Sequence, residues 1–178
     1  MRKRLGIGLA LVALLGSAGI APACEPVSRT IERSSPVGLK KLTIHWGKRF
    51  AIDVGGLPVC HPSGRDVRGS IEKECADAEV GGGQIQARAS FPGQPAIPLE
   101  ADLHLYNLGR DSDTTTLALW SLLPAPISAE ISVPLRIHRT LTGMEGTAKL
   151  PDLPGDSVII DLSFRLRKGI LTSRCPSS

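Results

Sequence analysis

Apolar and polar residues alternate with a period of two along most of the chain after residue 40. The first alternating residues are Leu42, Ile44 and Trp46. The pattern returns, separated by Pro and Gly, at 50–54, 85–89, 99–106, 115–122, 131–138, 146–150, 158–166 and 170–174. Such stretches predict half-buried β-strands joined by turns. Roughly eight or nine short strands at this spacing favour an all-β fold, a two-sheet antiparallel sandwich.

One segment follows a helical period instead. Val67, Ile71 and Cys75 recur every fourth residue, which places them on one face of a helix. We therefore predict one short helix between Cys60 and Cys75. The glycine run at 81–83 is predicted to be a flexible turn into the next strand, because neither a helix nor a Lys-Ser or Lys-Thr pair follows it, as a phosphate-binding loop requires.

A few strand residues carry more specific predictions. Pro134 occupies a polar position of its strand, which fits an edge strand because proline cannot donate a ladder hydrogen bond. Trp46 and Trp120 are predicted to fill the core between the sheets, and Tyr106 to be the aromatic ring at the surface. With an aromatic fraction of only 3%, the chain offers little for ligands that bind by stacking, such as sugars or single-stranded nucleic acid.

The first 23 residues predict a signal peptide. Arg2, Lys3 and Arg4 precede an apolar stretch at 5–15, and Ala21-Pro22-Ala23 has the small residues of a cleavage site. A retained membrane anchor is disfavoured, because the apolar stretch is shorter than the about 20 residues that such a helix needs. We therefore expect a protein that is secreted or held at the cell surface, with no integral membrane segment after cleavage.

The export prediction sets the organisation of the rest of the chain. Residues 24–38 are polar and contain Ser and Pro, which predicts an extended lead-in, and residues 39–178 form the predicted β-sandwich domain. Acylation of Cys24, as in a lipoprotein, is an alternative to its pairing with another cysteine. The residues before Cys24 lack the usual lipoprotein pattern, so we favour the simple signal peptide.

The formal net charge of +4 belongs mostly to the predicted signal peptide. Removing the three cations of residues 1–23, which contain no anion, leaves 18 Lys and Arg against 17 Asp and Glu. A mature chain with a net charge near +1 lacks the basic surface that nucleic-acid binding requires. We expect no nucleic-acid partner and an envelope or extracellular one.

The four cysteines predict two disulfides, because an exported chain meets an oxidising environment. Three pairings are possible. We favour Cys60–Cys75, which closes a local loop, together with Cys24–Cys175, which ties the predicted mature N-terminus to the end of the chain. Structural zinc is disfavoured, because the chain has no C-x-x-C motif.

Several motifs allow a comparison with a known family. They are Phe50-x-Ile52-x-x-Gly55-Gly56-Leu57-Pro58-x-Cys60, Cys75-x-x-Ala78-x-Val80-Gly81-x-Gly83, Phe91-Pro92-Gly93-Gln94-Pro95 and Cys175-Pro176. Together they resemble a family of uncharacterised exported proteins that are common in actinobacteria, over most of residues 40–178. The resemblance implies an exported β-rich domain with a local disulfide. It implies no catalytic residue and no particular activity.

Candidate chemistry is sparse. His45, His104 and His138 all occupy polar strand positions, and three converging imidazoles can hold Cu or Zn. We favour three separate solvated histidines, because no strand carries a closely spaced pair. Two sets of carboxylates are acid/base candidates, since general acids and bases need proximity in space only. These sets are Glu100 with Asp102, and Asp152, Asp156 and Asp161.

The absence of a G-x-S-x-G or H-E-x-x-H motif disfavours an enzyme. We predict no catalytic, cofactor-binding or metal-binding residue and no cofactor. The expected function is that of an exported or cell-surface, non-catalytic β-sandwich that binds a protein, an envelope component or an apolar ligand. The alternative is a secreted hydrolase with a dispersed acid/base site. A concave pocket with two or more converging polar side chains favours the hydrolase.

Overall fold

The computed structural model describes residues 28–34, 38–61 and 70–173. Nearly all the regular structure there is β-strand, which confirms the all-β prediction. The strands are β1 (Ser28–Ser34), β2 (Gly38–Gly47), β3 (Phe50–Ile52), β4 (Glu79–Ala89), β5 (Ile97–Asp111), β6 (Thr114–Leu122), β7 (Glu130–Thr140), β8 (Gly143–Lys149), β9 (Val158–Leu166) and β10 (Leu171–Ser173).

The two-sheet sandwich is not confirmed. Eight strands form one antiparallel sheet in the order β1-β2-β8-β7-β6-β5-β4-β9, and β3 and β10 form a second sheet of two strands. The large sheet is continuous because β4 to β8 follow one another as hairpins, while β2 pairs with β8 and β9 pairs with β4. The strands therefore do not divide into two comparable sheets that pack face to face.

The large sheet curls until its two sides approach each other. The start of β2 lies against the start of β9, where a Cβ added at Gly38 would be 3.0 Å from Cγ1 of Val158. Strong twist lets a long antiparallel sheet bend in this way. The result is a barrel-like layer with one concave face, which encloses the interior core.

The alternating apolar residues line this concave face. The residues most deeply buried there are Ile85, Ala87, Ala89, Leu105, Leu117, Leu119 and Leu135. Trp46 lies in the same interior core, as predicted. Each fully buried Leu or Ile side chain stabilises the fold by about 1.5–3 kcal/mol relative to an exposed one, so this core is the main source of stability.

The small sheet covers one end of the curled sheet, which we call the ribbon end. Ile52, Val54 and Ile170 from this region belong to the interior core. The backbone N–H of Asp53 extends the β3–β10 pairing by donating to the carbonyl oxygen of Ile170 at 2.9 Å. The two alternating stretches at 42–46 and 50–54 are therefore two strands, β2 and β3, with separate partners.

Two strand predictions need correction. The glycine run at 81–83 lies inside β4 and is not a turn. Its glycines permit close approach of β9, since a Cβ at Gly83 would lie 1.9 Å from the carbonyl oxygen of Ser163. Pro134 lies on β7, which is an internal strand of the sheet. At that position β7 pairs only with β6, because its pairing with β8 begins at Arg136, so proline costs no hydrogen bond on that side.

The predicted helix is present between the two central cysteines. Helix α1 covers Ser70–Glu74, and a 3-10 helix follows at Ala76–Ala78. Ile71 and Cys75 are both buried, as the predicted helical face requires, while Val67 lies outside the described residues. Neither helix of the described segments has the length or the apolar character to cross a bilayer.

Candidate functional site

A disulfide holds the helical segment on the outer, convex face of the sheet. Cys60 and Cys75 are bonded, with their Cα atoms 5.1 Å apart, which confirms the predicted local pairing. Cys24 and Cys175 lie outside the described residues, so their pairing stays a prediction. The segment covers a small apolar group, the outer cluster, that is separate from the interior core. Its members are Cys60, Ile71, Cys75, Ala78, Tyr106, Ala118 and Trp120.

Both large rings of the outer cluster differ from their predictions. Tyr106 was predicted at the surface, but it is only 1% exposed, because the helical segment covers the convex face at this point. Burial, followed by the negative charges of Glu79 and Glu72, raises the pKa of Tyr106 to about 12. Trp120 is buried as predicted, yet in the outer cluster and not in the interior, and its Nε1–H donates to Oε1 of Glu130 at 2.7 Å.

A histidine–carboxylate pair borders the outer cluster. Nδ1 of His104 lies 2.9 Å from Oε1 of Glu79, and the other oxygen of Glu79 pairs with Arg167. The imidazole stacks on Tyr106, with ring centroids 6.1 Å apart, and is tilted against Trp120. These contacts fix the imidazole from several sides, so the pair ties β4, β5 and the end of β9 together.

The three histidines considered as metal ligands do not meet. His104 is on β5, whereas His45 on β2 and His138 on β7 flank Glu145 on β8, and β6 separates this group from β5. Nδ1 of His45 lies 3.3 Å from Oε2 of Glu145. Within the described residues, no group of three or more His, Cys, Asp or Glu side chains is close enough to hold a metal ion.

Two of the five carboxylates considered for acid/base chemistry bond to amide or ammonium groups. Glu100 accepts a hydrogen bond from the amide Nε2 of Gln86 on β4, at 3.2 Å. Asp152 pairs with the ammonium group of Lys40 across the loop before β9. Each of these two carboxylates is therefore matched to a donor on a neighbouring strand, which is the arrangement of a stabilising surface contact.

The described residues form a cleft at the ribbon end. It has a volume of about 250 Å³ and lies between the loop that follows β3 and the irregular part of β5. We call it the Arg110 cleft. Its walls consist of Ile52, Asp53, Val54, Gly55, Gly56, Leu57, Val59, Asn107, Gly109 and Arg110.

Asn107 holds the two walls of this cleft together. Its side chain is 1% exposed, donates from Nδ2 to the carbonyl oxygen of Pro58 at 3.0 Å, and accepts from the N–H of Gly109 at 2.9 Å. Its backbone carbonyl accepts from the N–H of Cys60 at 2.7 Å. Because the amide of Asn107 is buried and bonded on both sides, it is a structural clamp and no longer available to a ligand.

The opposite wall is a tight turn. The N–H of Leu57 donates to the carbonyl oxygen of Val54 at 3.2 Å, with Gly56 at a φ of +78° in the third position. That conformation is typical of a type II turn and favours glycine. Asp53 supports the turn by accepting the N–H of Gly55 at Oδ1, at 2.9 Å.

The cleft is suited to binding a small group that is partly apolar and partly anionic. Leu57 and Val59 are exposed at its rim, and in the described structure Arg110 forms one side-chain hydrogen bond, from Nε to the carbonyl oxygen of Ser112. The terminal amino groups of the guanidinium are thus left for a ligand carboxylate. The ten wall residues include no His, Cys, Ser or Tyr, and their one carboxylate, Asp53, accepts the N–H of Gly55 in the turn.

The sequence did not point to Asp53, Asn107 or Arg110. The only related signal was the Gly55-Gly56-Leu57-Pro58 run, which appeared in the motif before Cys60 and now proves to be the turn of the cleft. The polar residues could not be found, because the clamp joins positions that are 49 residues apart in the chain.

Comparison with known protein families, with curated proteins and with solved structures finds no match. The resemblance to exported actinobacterial proteins therefore stays a prediction from the motifs. Function has to be inferred from the geometry of the described residues, above all from the Arg110 cleft and its surroundings.

Proposed function

We propose that this protein is an exported or cell-surface, non-catalytic binding protein that takes part of an extracellular or envelope partner into the Arg110 cleft. The partner presents a short apolar side chain beside a carboxylate, as a segment of another protein does. The observation that carries the proposal is the pairing of an aliphatic rim, Leu57 and Val59, with the available guanidinium of Arg110.

Export is supported by two independent features of the chain. The basic and apolar pattern of residues 1–23 is typical of a signal peptide. The Cys60–Cys75 disulfide is a bond that persists in oxidising compartments and is rare in the cytosol. The disulfide also lies beside the cleft, since the clamp residue Asn107 bonds to the backbone of Cys60.

The size of the cleft supports recognition of a segment and not of a whole small-molecule cofactor. Ligand pockets for drug-sized molecules occupy about 300–1,000 Å³. The Arg110 cleft, at about 250 Å³, has room for one or two side chains. Its walls are held by backbone and Asn107 hydrogen bonds, so the partner meets a preformed site and loses little free energy to ordering it.

The alternative, a secreted hydrolase, requires polar side chains that are free to act as an acid or a base. Asp53 and Asn107 both line the cleft, but each already bonds within the walls. The Glu79–His104 pair has the form of an acid/base dyad, yet Arg167 occupies the second oxygen of Glu79, and the imidazole stacks on Tyr106. The contacts of both groups favour structural roles.

The proposal is tested with N-acetyl-leucine, which joins an aliphatic side chain to a carboxylate. We expect its addition to the protein at millimolar concentration to shift the backbone amide NMR signals of residues 53–59 and of Gly109. Arg110→Gln should weaken the binding by about tenfold, since an ionic hydrogen bond is worth about 1.5–3 kcal/mol. N-acetyl-leucinamide, which lacks the carboxylate, should bind as weakly to the wild type as N-acetyl-leucine binds to Arg110→Gln.

Arg136→Gln is the matched control, because Arg136 is an exposed arginine on the convex face of β7, away from the cleft. Unchanged binding by Arg110→Gln, or shifts confined to other residues, would contradict the proposal. A rate of p-nitrophenyl acetate hydrolysis above that of the buffer, lost in His104→Gln and kept in Arg110→Gln, would favour the hydrolase instead.

A further inference from the structure

We propose that two adjacent turns at the ribbon end form a contact surface for an anionic lipid bilayer. The surface, which we call the tip patch, consists of Lys48, Arg49, Arg139 and Leu141. It goes beyond the proposed function, because it uses none of the residues that line the Arg110 cleft. The turns are those that join β2 to β3 and β7 to β8.

Leu141 is the apolar element of the tip patch. It is 94% exposed, whereas the other exposed large aliphatic residues of the described chain are 38–42% exposed. It stands in the two-residue turn between Thr140 and Gly143, which face each other in the β7–β8 pairing. A leucine in this position gains no burial within the folded chain, and insertion into the apolar boundary of a bilayer would supply it.

The turn that carries Leu141 is fixed by its neighbour strand. Gly143 has a φ of +151°, and a Cβ there would lie 1.9 Å from the carbonyl oxygen of Trp46 on β2. Any residue other than glycine at 143 would push the two turns apart. The side chains of Thr140 and Thr142, 3.3 Å apart at their hydroxyl oxygens, flank the leucine and cannot cover it.

The second turn brings positive charge beside the leucine. Gly47 pairs with Gly143, so Lys48 and Arg49 follow directly at the neighbouring turn, and both are exposed. Arg139 is exposed on the β7 side. The two turns contain no acidic residue. Two carboxylates border the patch: Glu145 on β8, which pairs with His45, and Asp113 of the β5–β6 turn, which lines a small pocket together with Arg139.

Charge and shape favour a lipid surface over other partners. A single aliphatic side chain, with cations on its own hairpin and on the neighbouring turn, matches an anionic headgroup layer with acyl chains beneath it. At the opposite end of the sheet the comparable exposed residue, Leu122, faces Glu130 in the β6–β7 pairing, where a carboxylate disfavours an anionic membrane. Leu122 therefore serves as a control for Leu141 within the same protein.

The experiment is co-sedimentation of the natively processed, oxidised protein with vesicles of phosphatidylcholine alone or of equal parts phosphatidylcholine and phosphatidylglycerol. We expect binding to the anionic vesicles only, weakening as salt is raised. Leu141→Ser should weaken it by about tenfold. Lys48→Gln and Arg49→Gln should each weaken it by about fivefold. The intact mass of the protein is recorded first, so that a retained apolar N-terminus is recognised.

The matched controls are Leu122→Ser and Lys149→Gln, which remove the same groups at the opposite end of the sheet and should bind like the wild type. Equal binding to both kinds of vesicle, an unchanged affinity of Leu141→Ser, or an equal loss in Leu122→Ser would overturn the proposal. So would a dimer in solution that Leu141→Ser dissociates, since Leu141 would then contact a second copy of the chain. Arg110→Gln, which removes the positive charge of the cleft, should still bind vesicles.

Discussion

The interior core and the outer cluster lie on opposite faces of the same two strands, β5 and β6, yet they are held in different ways. Leu105 and Leu117 face a core to which almost every described strand contributes. Tyr106 and Ala118, the next residues along each strand, face only the short segment closed by Cys60 and Cys75. The interior core is large enough to be stabilised by burial alone, whereas we expect the small outer cluster to depend on the disulfide.

The polar environment differs in the same way. On the interior face of β6, the buried hydroxyl of Ser121 has no hydrogen-bond partner among the described residues. The outer cluster is bordered by charged groups, with Glu130 bonded to Trp120 and Glu79 to His104. An unpaired buried hydroxyl costs about 1–3 kcal/mol, which the large apolar area of the interior core can offset.

The largest expected effect is a truncation in the interior core. Leu119→Ala removes a side chain that is 0% exposed on β6, and we expect it to lower the free energy of unfolding by about 2–5 kcal/mol. Urea unfolding followed by circular dichroism measures the change. Leu141→Ala is the control, because the same truncation at an exposed turn should change the stability by less than about 0.5 kcal/mol. Similar losses for both variants would contradict the assignment of the core.

A smaller effect is expected when the outer cluster loses its covalent bond. The double variant Cys60→Ser, Cys75→Ser opens a loop with a sequence separation of 15, which should cost about 3 kcal/mol. Hydrogen exchange should speed up around residues 71–78 while β2, β7 and β8 keep their protection, because their side chains belong to the interior core. Loss of protection throughout the sheet would show that the two regions unfold as one unit.

The smallest effect concerns the acidity of Tyr106, the only tyrosine of the chain. Its pKa of about 12, against 10.0 for a free side chain, means that the unfolded state loses this proton first as pH rises. The contribution to stability is complete below pH 10 and is lost between pH 10 and about 12. Absorbance at the phenolate band follows this titration without interference from another tyrosine.

Two variants sharpen the Tyr106 measurement. Glu79→Gln should lower the pKa, because the negative charge of Glu79 contributes to the rise after burial itself. The double cysteine variant should lower it further, since burial is the larger cause. An ordinary pKa in the oxidised wild type would mean that the helical segment does not cover the ring, and the outer cluster would then have to be abandoned.

The periodic parts of the fold were predictable from the sequence. The alternation of Ile131, Val133 and Leu135 assigned β7 and its buried face, and the same reasoning assigned eight other strands. The local disulfide and the short helix were also predicted. These features depend on neighbours in the chain, where side-chain period and loop length act directly.

The failures share one cause, which is contact between distant parts of the chain. Tyr106 occupies a polar position in the alternating pattern, which is typical of a surface residue. It is buried because the segment at 70–78 packs over it. The glycine run looked like a turn, and only the approach of β9 explains it as strand. The Arg110 cleft joins the loop after β3 to a bulge in β5, and no local pattern marks either wall as part of a site.

Alternation, turn residues and cysteine spacing thus decided, without any structure, that this is a β-rich chain with a small stapled segment. These signals depend on the period of the backbone and on short loops, and both are set by residues that are close together in the chain. Whether the strands would form one curled sheet or two packed sheets was decided by strand partners, and so were the outer cluster, the cleft and the tip patch. Those depend on the order β1-β2-β8-β7-β6-β5-β4-β9, in which β2 pairs with β8 although about 100 residues separate them in the chain.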